Sequence, residues 1–229
     1  MSRTLYTALV AGLAALVAIA ATVLVSDVFR SSPGSEVRGS GVAVTEARAL
    51  PAFDRVELSG SNNVVIRVGA KQRVVVHTDD NLAGRVMTTV ERHMLVVGDE
   101  PGSYTTKSPT YVEITTPSLR GLTLSGSGTV SAVGVDSPRL RVALPGSGLV
   151  RASGRAEALD VELGGSGDAQ LGRLAARDAR VVVSGSGRAD VTATKSLHAA
   201  VSGTGAIVYG GHPAGLRTSI TGVGAIIAR

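Results

Sequence analysis

The tripeptide Gly-Ser-Gly, or a close variant, returns at nearly constant spacing through the second half of this 229-residue chain. It stands in "LTLSGSGTVSA" from Leu122, "VALPGSGLVRASG" from Val142, "VELGGSGDAQL" from Val161, "VVVSGSGRADV" from Val181, "AAVSGTGAIVY" from Ala199 and "TSITGVGAIIA" from Thr218. The first glycines are Gly126, Gly146, Gly165, Gly185, Gly203 and Gly222, and the second are Gly128, Gly148, Gly167, Gly187, Gly205 and Gly224. Successive first glycines are 20, 19, 20, 18 and 19 residues apart. A period that regular marks a chain built from stacked copies of one small unit.

The flanks show what the unit is. Two residues before the first glycine stand Leu124, Leu144, Leu163, Val183, Val201 and Ile220, and four before it Leu122, Val142, Val161, Val181, Ala199 and Thr218. Between them lie Thr123, Ala143, Glu162, Val182, Ala200 and Ser219, mostly small or polar. This is the period-two alternation of a strand with one buried face. It resumes after the tripeptide, with Val130/Ala132, Val150/Ala152, Ala169/Leu171, Ala189/Val191, Ile207/Tyr209 and Ile226/Ala228 pointing inward. Each repeat therefore reads as strand, tight corner, strand and a looser return of six to eight residues. One such unit cannot close a core, but stacked copies can, and a parallel β-helix with one repeat per coil places equivalent residues above one another. The corner glycines are expected to supply left-handed backbone angles and to avoid crowding between coils about 4.8 Å apart. The middle serine is expected to hydrogen-bond to the coils above and below. A phosphate-binding nest is the functional rival for such glycine-rich turns, but six stacked copies suit a corner better than one anion site.

Composition narrows the function classes. The chain has 29 glycines but only four tyrosines, two phenylalanines and no tryptophan, so its core is aliphatic. With no cysteine, a disulfide framework, thiolate metal sites, a cysteine nucleophile and a lipoprotein anchor are all excluded. The net charge of +5 comes from interspersed charges, without the basic clusters and aromatics of a nucleic-acid binder, so no nucleic-acid partner is expected.

Residues 5–25, "LYTALVAGLAALVAIAATVLV", carry no charge, and Arg3 precedes them. A helix of that length spans a bilayer, with its N-terminus cytoplasmic if it stays uncleaved. Ala18-Ile19-Ala20 also resembles a signal-peptide cleavage site, although apolar residues continue through Val25. Both readings export the rest of the chain into the periplasm or onto the cell surface. The expected organisation is an anchor or signal over 1–29, a flexible linker over 30–38 and a β-helix over 39–229. Within the β-helix, residues 53–117 hold strands such as "RVELSGSNNVVIRVG", "RVVVHTD", "RVMTTVERHMLVVGD" and "TYVEITTP". They read as irregular first coils that cap the N-terminal end, ahead of regular coils over 119–229.

The stretches "GSGVAVTEARALPAFDRVELSGSNNVVIRVG" (39–69), "NLAGRVMTTVERHMLVVG" (81–98) and the "LSGSG" series resemble the GIN-domain family, labelled as the head domain of auto-transporter adhesins. The resemblance implies an all-β fold, a single-stranded right-handed parallel β-helix in a bacterial envelope protein. It brings no catalytic residues. The right hand also agrees with the preferred sense of parallel crossovers.

Chemical motifs are sparse. His77, His93, His198 and His212 show no metal-site spacing and read as isolated surface histidines. No G-x-S-x-G elbow or dinucleotide fingerprint occurs, and "GGSGDAQL" departs from the calcium nonapeptide in both aspartate position and period. No cofactor is expected. Asp168 and Asp190 project outward from adjacent coils at a separation near that of inverting glycosidases, which keeps a polysaccharide-active enzyme as an alternative. Arg188 lies between them in the register and favours paired surface charges.

The last two coils carry Ala206/Val208 and Ala225/Ile227 where earlier coils place polar residues such as Asp168/Gln170 and Arg188/Asp190. Packing under the loop 210–215 or an interface with a second copy or a partner accounts for this. The sequence thus points to a non-enzymatic envelope adhesin or scaffold, inserted through residues 5–25, with an envelope protein, a glycan or another copy as partner. A structural protein that assembles end to end is a further alternative.

Overall fold

A computed structural model describes residues 36–229, so the anchor or signal expected over 5–25 lies outside the described residues. Val37 and Gly102–Tyr104 belong to a separate small unit, in which the Val37 N–H donates to the Ser103 carbonyl at 3.1 Å. The larger unit comprises Arg38–Pro101 and Thr105–Arg229.

That unit is all-β, a parallel solenoid of about five turns. Its first face stacks Arg55–Leu58, Gly121–Leu124, the ends of four long strands, and Gly215–Ile220. The long strands are Thr129–Leu144, Leu149–Leu163, Asp168–Val183 and Arg188–Val201. Its second face stacks Asn63–Val68, the beginnings of the same long strands, Ala206–Gly210 and Ala225–Ala228. The inward columns are those expected from the alternation. Val56, Leu122, Val142, Val161, Val181 and Ala199 lie in register on one face, and Val64, Val130, Val150, Ala169, Ala189 and Ile207 on the other. All twelve are buried in one continuous core.

The return segment differs from expectation. Instead of a loose connection, Val135–Ser137, Gly154–Ala156, Leu174–Ala176 and Thr192–Ala193 pair from coil to coil as a short third side. Ala156, Ala176 and Ala193 point into the core there, small enough for the narrow angle between the faces. Stacked parallel backbones satisfy their main-chain groups wherever they stay in register, so the return needs no strand-forming side chains to become strand.

The reason for the corner glycines also differs. None of the twelve adopts left-handed angles; the left-handed glycines near the opposite bend are Gly134, Gly154 and Gly211, at φ +75°, +129° and +95°. The Gly-Ser-Gly positions are required by closeness. A Cβ added at Gly146 would lie 2.6 Å from the Ser125 carbonyl oxygen and closer still to that of Gly126. Gly126, Gly165, Gly185, Gly203 and Gly222 each meet the carbonyl one coil before in the same way, and the ladder begins at Gly60 of "SGSNN". Gly128, Gly148, Gly167, Gly187, Gly205 and Gly224 form the parallel ladder, which begins on Asn62. The corner backbones bond to one another across this gap, as in Ser147 N–H to the Gly126 carbonyl (3.3 Å) and Leu149 N–H to that of Gly128 (3.0 Å). Middle-position hydroxyls contribute less than expected: Ser166 and Ser186 join at 3.0 Å, and the others face solvent.

The N-terminal strands cap the stack, but not as a simple run of parallel coils. Met94–Asp99 and Tyr111–Thr116 form a coil outside Arg55–Val68, parallel to it on both faces. Beyond it the pairing turns antiparallel: Val86–Glu91 covers one face, and Arg73–Asp79 followed by Ala43–Arg48 covers the other. A 3-10 turn over Asp80–Arg85 inserts the fully buried Leu82. The antiparallel strands end the parallel repeat on this side, with Val86–Glu91 and Ala43–Arg48 each paired along one edge.

Asp79 ties the N-terminal end together. Its buried carboxylate accepts hydrogen bonds from the N–H groups of Lys107 (2.8 Å), Gly41 (3.0 Å) and Ser108 (3.3 Å) and from the Ser108 hydroxyl (2.7 Å). The Lys107 N–H, then the Ser108 hydroxyl, hold its pKa below the ordinary aspartate value, against the opposing effect of burial. A folded pKa below the unfolded one stabilises the fold above the ordinary aspartate pKa, and that stability is lost as pH falls through the folded value. Thermal melts should therefore fall steeply below about pH 4. Asp79→Asn should melt lower than the wild type at neutral pH and show a shallower acid decline. An unchanged acid slope would remove Asp79 from this account.

Candidate functional site

Rows of outward side chains run along the stack, and their chemistry follows from register. On the second face Asp168 faces Arg188 and Gln170 faces Asp190 across one strand gap, as the spacing anticipates. Each carboxylate has a polar neighbour on this face. Asp168 accepts from the Gln170 amide at 2.9 Å. Asp190 is clasped by the Arg229 guanidinium, whose Nη1 reaches both oxygens at 2.8 and 2.9 Å while Nη2 donates to Thr192 Oγ1 at 2.9 Å.

Arg229 also bears on the apolar rows. Asp190, Val208 and Ile227 occupy one row, so the Arg229 side chain spans the intervening coil to reach Asp190. Val208 is only 7% exposed, Ala206 and Ala225 are half-buried, and Ile227 is 51% exposed. The large apolar side chains open to water in the last coil are Leu216, Ile220, Val223 and Ile227, and Val223 occupies the place that serine or threonine takes in the other corners. Gly215–Ile220 and Ala225–Ala228 each have a strand partner on one side only.

The histidines are less uniform than expected. His77 stacks on Tyr111 at 4.3 Å between ring centres, with Thr45 Oγ1 3.2 Å from its Nδ1. His93 and His212 occupy turns at positive φ, and His198 is exposed on the first face. Among the described residues no three histidine or carboxylate side chains are arranged to hold a metal ion.

One feature escaped the sequence reading. Where the third side bends into the first face, a groove of about 690 Å³ opens over Arg139, Asp160, Asp178, Arg180, His198 and Arg217. Ala158, Ser196 and Gly215 keep it concave, Leu216 supplies exposed apolar surface, and Leu159, Ala179 and Leu197 lie buried beneath it. Its rows are readable by counting back from each first glycine. Seven residues before stand Arg139, Ala158, Asp178, Ser196 and Gly215, and five before stand Arg141, Asp160, Arg180, His198 and Arg217. The apolar alternation draws attention to the inward positions, and these outward ones carry no motif.

No curated protein matches the chain. Solved structures do. A putative adhesin from Bacteroides fragilis is 22% identical with a TM-score of 0.70, over 84% of this chain and 100% of that one. A putative lipid binding protein from Parabacteroides distasonis is also 22% identical, with a TM-score of 0.56 over 85% of this chain and 100% of that one. At such identities the likeness is one of fold. The sequence itself decides the kinship: residues 52–213, from the strand before Gly60 through the fifth corner, match one family model, and the chain belongs to the family described as putative auto-transporter adhesin, head GIN domain.

Proposed function

We propose that this chain is a non-catalytic adhesin or scaffold of the bacterial cell envelope. The apolar segment 5–25 places its solenoid outside the cytoplasmic membrane, and the solenoid binds through the outward rows of its flat faces. The observation that carries this reading is the clasp of Arg229 on Asp190, one of the two carboxylates that the enzymatic alternative needs. What the stack offers instead is a rigid frame whose exposed rows vary freely in charge and size. The adhesin family and the Bacteroides fragilis neighbour support a binding role. The test is a glycan array probed with the full chain in neutral detergent, alongside reducing-end release from the same polysaccharides. Binding without release is the expected result. Release that disappears in Asp168→Asn or Asp190→Asn would replace the adhesin with a polysaccharide-cleaving enzyme.

A second reading, self-association through the last coil, is favoured by the exposed Leu216, Ile220, Val223 and Ile227 beside one-sided strands. Apolar surface of this kind is stabilised by contact, and a second copy offers both side chains and strand edges. A solution mass that rises with concentration in the same preparation supports it, and a strict monomer ends it.

A further inference from the structure

We infer that the groove on the first face binds a linear acidic polysaccharide with widely spaced carboxylates, held by Arg139, Arg180 and Arg217. This deepens the adhesive reading and rests on it. The three arginines are exposed and make no ion pair among the described residues, whereas Arg141 is engaged by Glu162 at 2.8 Å and Arg177 by Glu157 at 3.4 Å. They stand on alternate coils of the stack, two coils from one to the next. At coil spacing that is a rise of about 10 Å; Arg139 stands two residues along the strand from the row of Arg180 and Arg217, so its step to Arg180 is about 12 Å.

Their neighbours define the rest of the ligand. Asp178 accepts from Ser196 Oγ at 2.5 Å and lies 3.8 Å from Arg177, and Asp160 stands in register between Arg141 and Arg180. Two carboxylates among three arginines leave little net charge, so an isolated anion gains little here. A chain that meets all three arginines at once makes each contact after the first intramolecular. The groove is open along the stack, so a polymer can run through it, and its carboxylates and Ser196 offer hydrogen-bond partners to sugar hydroxyls. A nucleic acid fits poorly. Its phosphates repeat about every 3.4 Å along a strand, and no tryptophan, tyrosine or phenylalanine lines the groove to stack a run of bases.

The experiment measures binding of the full chain, in neutral detergent, to hyaluronan, which carries one carboxylate per disaccharide. Neutral dextran, a single hyaluronan disaccharide and duplex DNA are the comparisons. Long hyaluronan should bind at low salt and weaken as salt rises. Arg180→Glu with Arg217→Glu should reduce its affinity by about tenfold or more. Arg151→Glu with Arg188→Glu, an equal charge change on the second face, should leave it within about twofold. Arg180→Gln with Arg217→Gln repeats the test should the reversed charges lower the melting temperature. Equal losses in both pairs, hyaluronan held no better than dextran, the disaccharide held as tightly as the polymer, or DNA held as well as hyaluronan would each overturn the proposal. Neutral-glycan binding untouched by the first-face variants would remove this site and leave the adhesin standing. Sugar release in the reducing-end assay would remove the adhesin instead.

Discussion

Gly146→Ala should lower the stability of the folded chain by at least about 3 kcal/mol, although a single methyl group is added at a half-exposed corner. The added carbon would lie 2.6 Å from the Ser125 carbonyl oxygen and closer to that of Gly126, which accepts a coil-to-coil hydrogen bond from the Ser147 N–H. Room can be made only by parting the two coils, which breaks that bond and opens the core between the faces. Ser147→Ala, one residue on, removes an exposed hydroxyl with no side-chain partner among the described residues and should change stability by no more than about 0.5 kcal/mol. Urea midpoints at constant m-value decide the matter. If the serine change proved the costlier, crowding would not be the reason for the tripeptide.

Two leucines in one column provide the second large effect. Leu140, Leu159, Ala179, Leu197 and Leu216 are equivalent residues on successive coils. Leu159 is buried between two coils, while Leu216 is 44% exposed in the last one. Leu159→Ala should cost about 3 kcal/mol, because rigid coils on both sides prevent collapse into the cavity. Leu216→Ala should cost less than about 1 kcal/mol, since only part of its surface leaves water on folding. Similar costs for both would mean that the last coil is covered in solution, and the self-association reading would gain accordingly.

Strand positions, the inward columns and the coil repeat were legible because one alternation recurs, and each copy reinforces the others. Val142 alone says little; Val142 above Leu122 and below Val161, at the same distance from a glycine, fixes a face. The reason for the glycines was not legible, because a left-handed turn and a close backbone approach both select glycine. Only the distance from Gly146 to the carbonyls beneath it separates them. Nor was the antiparallel pairing. Arg73–Asp79 and Val86–Glu91 alternate as parallel strands do, and pairing direction is set by where the chain turns back. The third side was missed because residues such as Ala175 and Ala176 carry no strand signal of their own and become strand through their neighbours. At the candidate site, the offset of Asp168 and Asp190 was read correctly. The clasp on Asp190 comes from Arg229, 39 residues away, which no local pattern reveals.

The glycine ladders have a consequence for how such a surface can change. Because backbone rests on backbone at every corner, the interval between outward residues on neighbouring coils is set by main-chain hydrogen bonding alone, about 4.8 Å, whatever side chains are displayed. The stack is a lattice with fixed pitch and exchangeable pegs. Mutation can alter which group stands at a given height, as where arginine gives way to histidine between Arg180 and Arg217, but it cannot slide one group toward another by a fraction of a coil. A ligand that matches this surface must therefore be commensurate with it. Selection for a new ligand can proceed one peg at a time, without disturbing the spacing that the remaining contacts rely on.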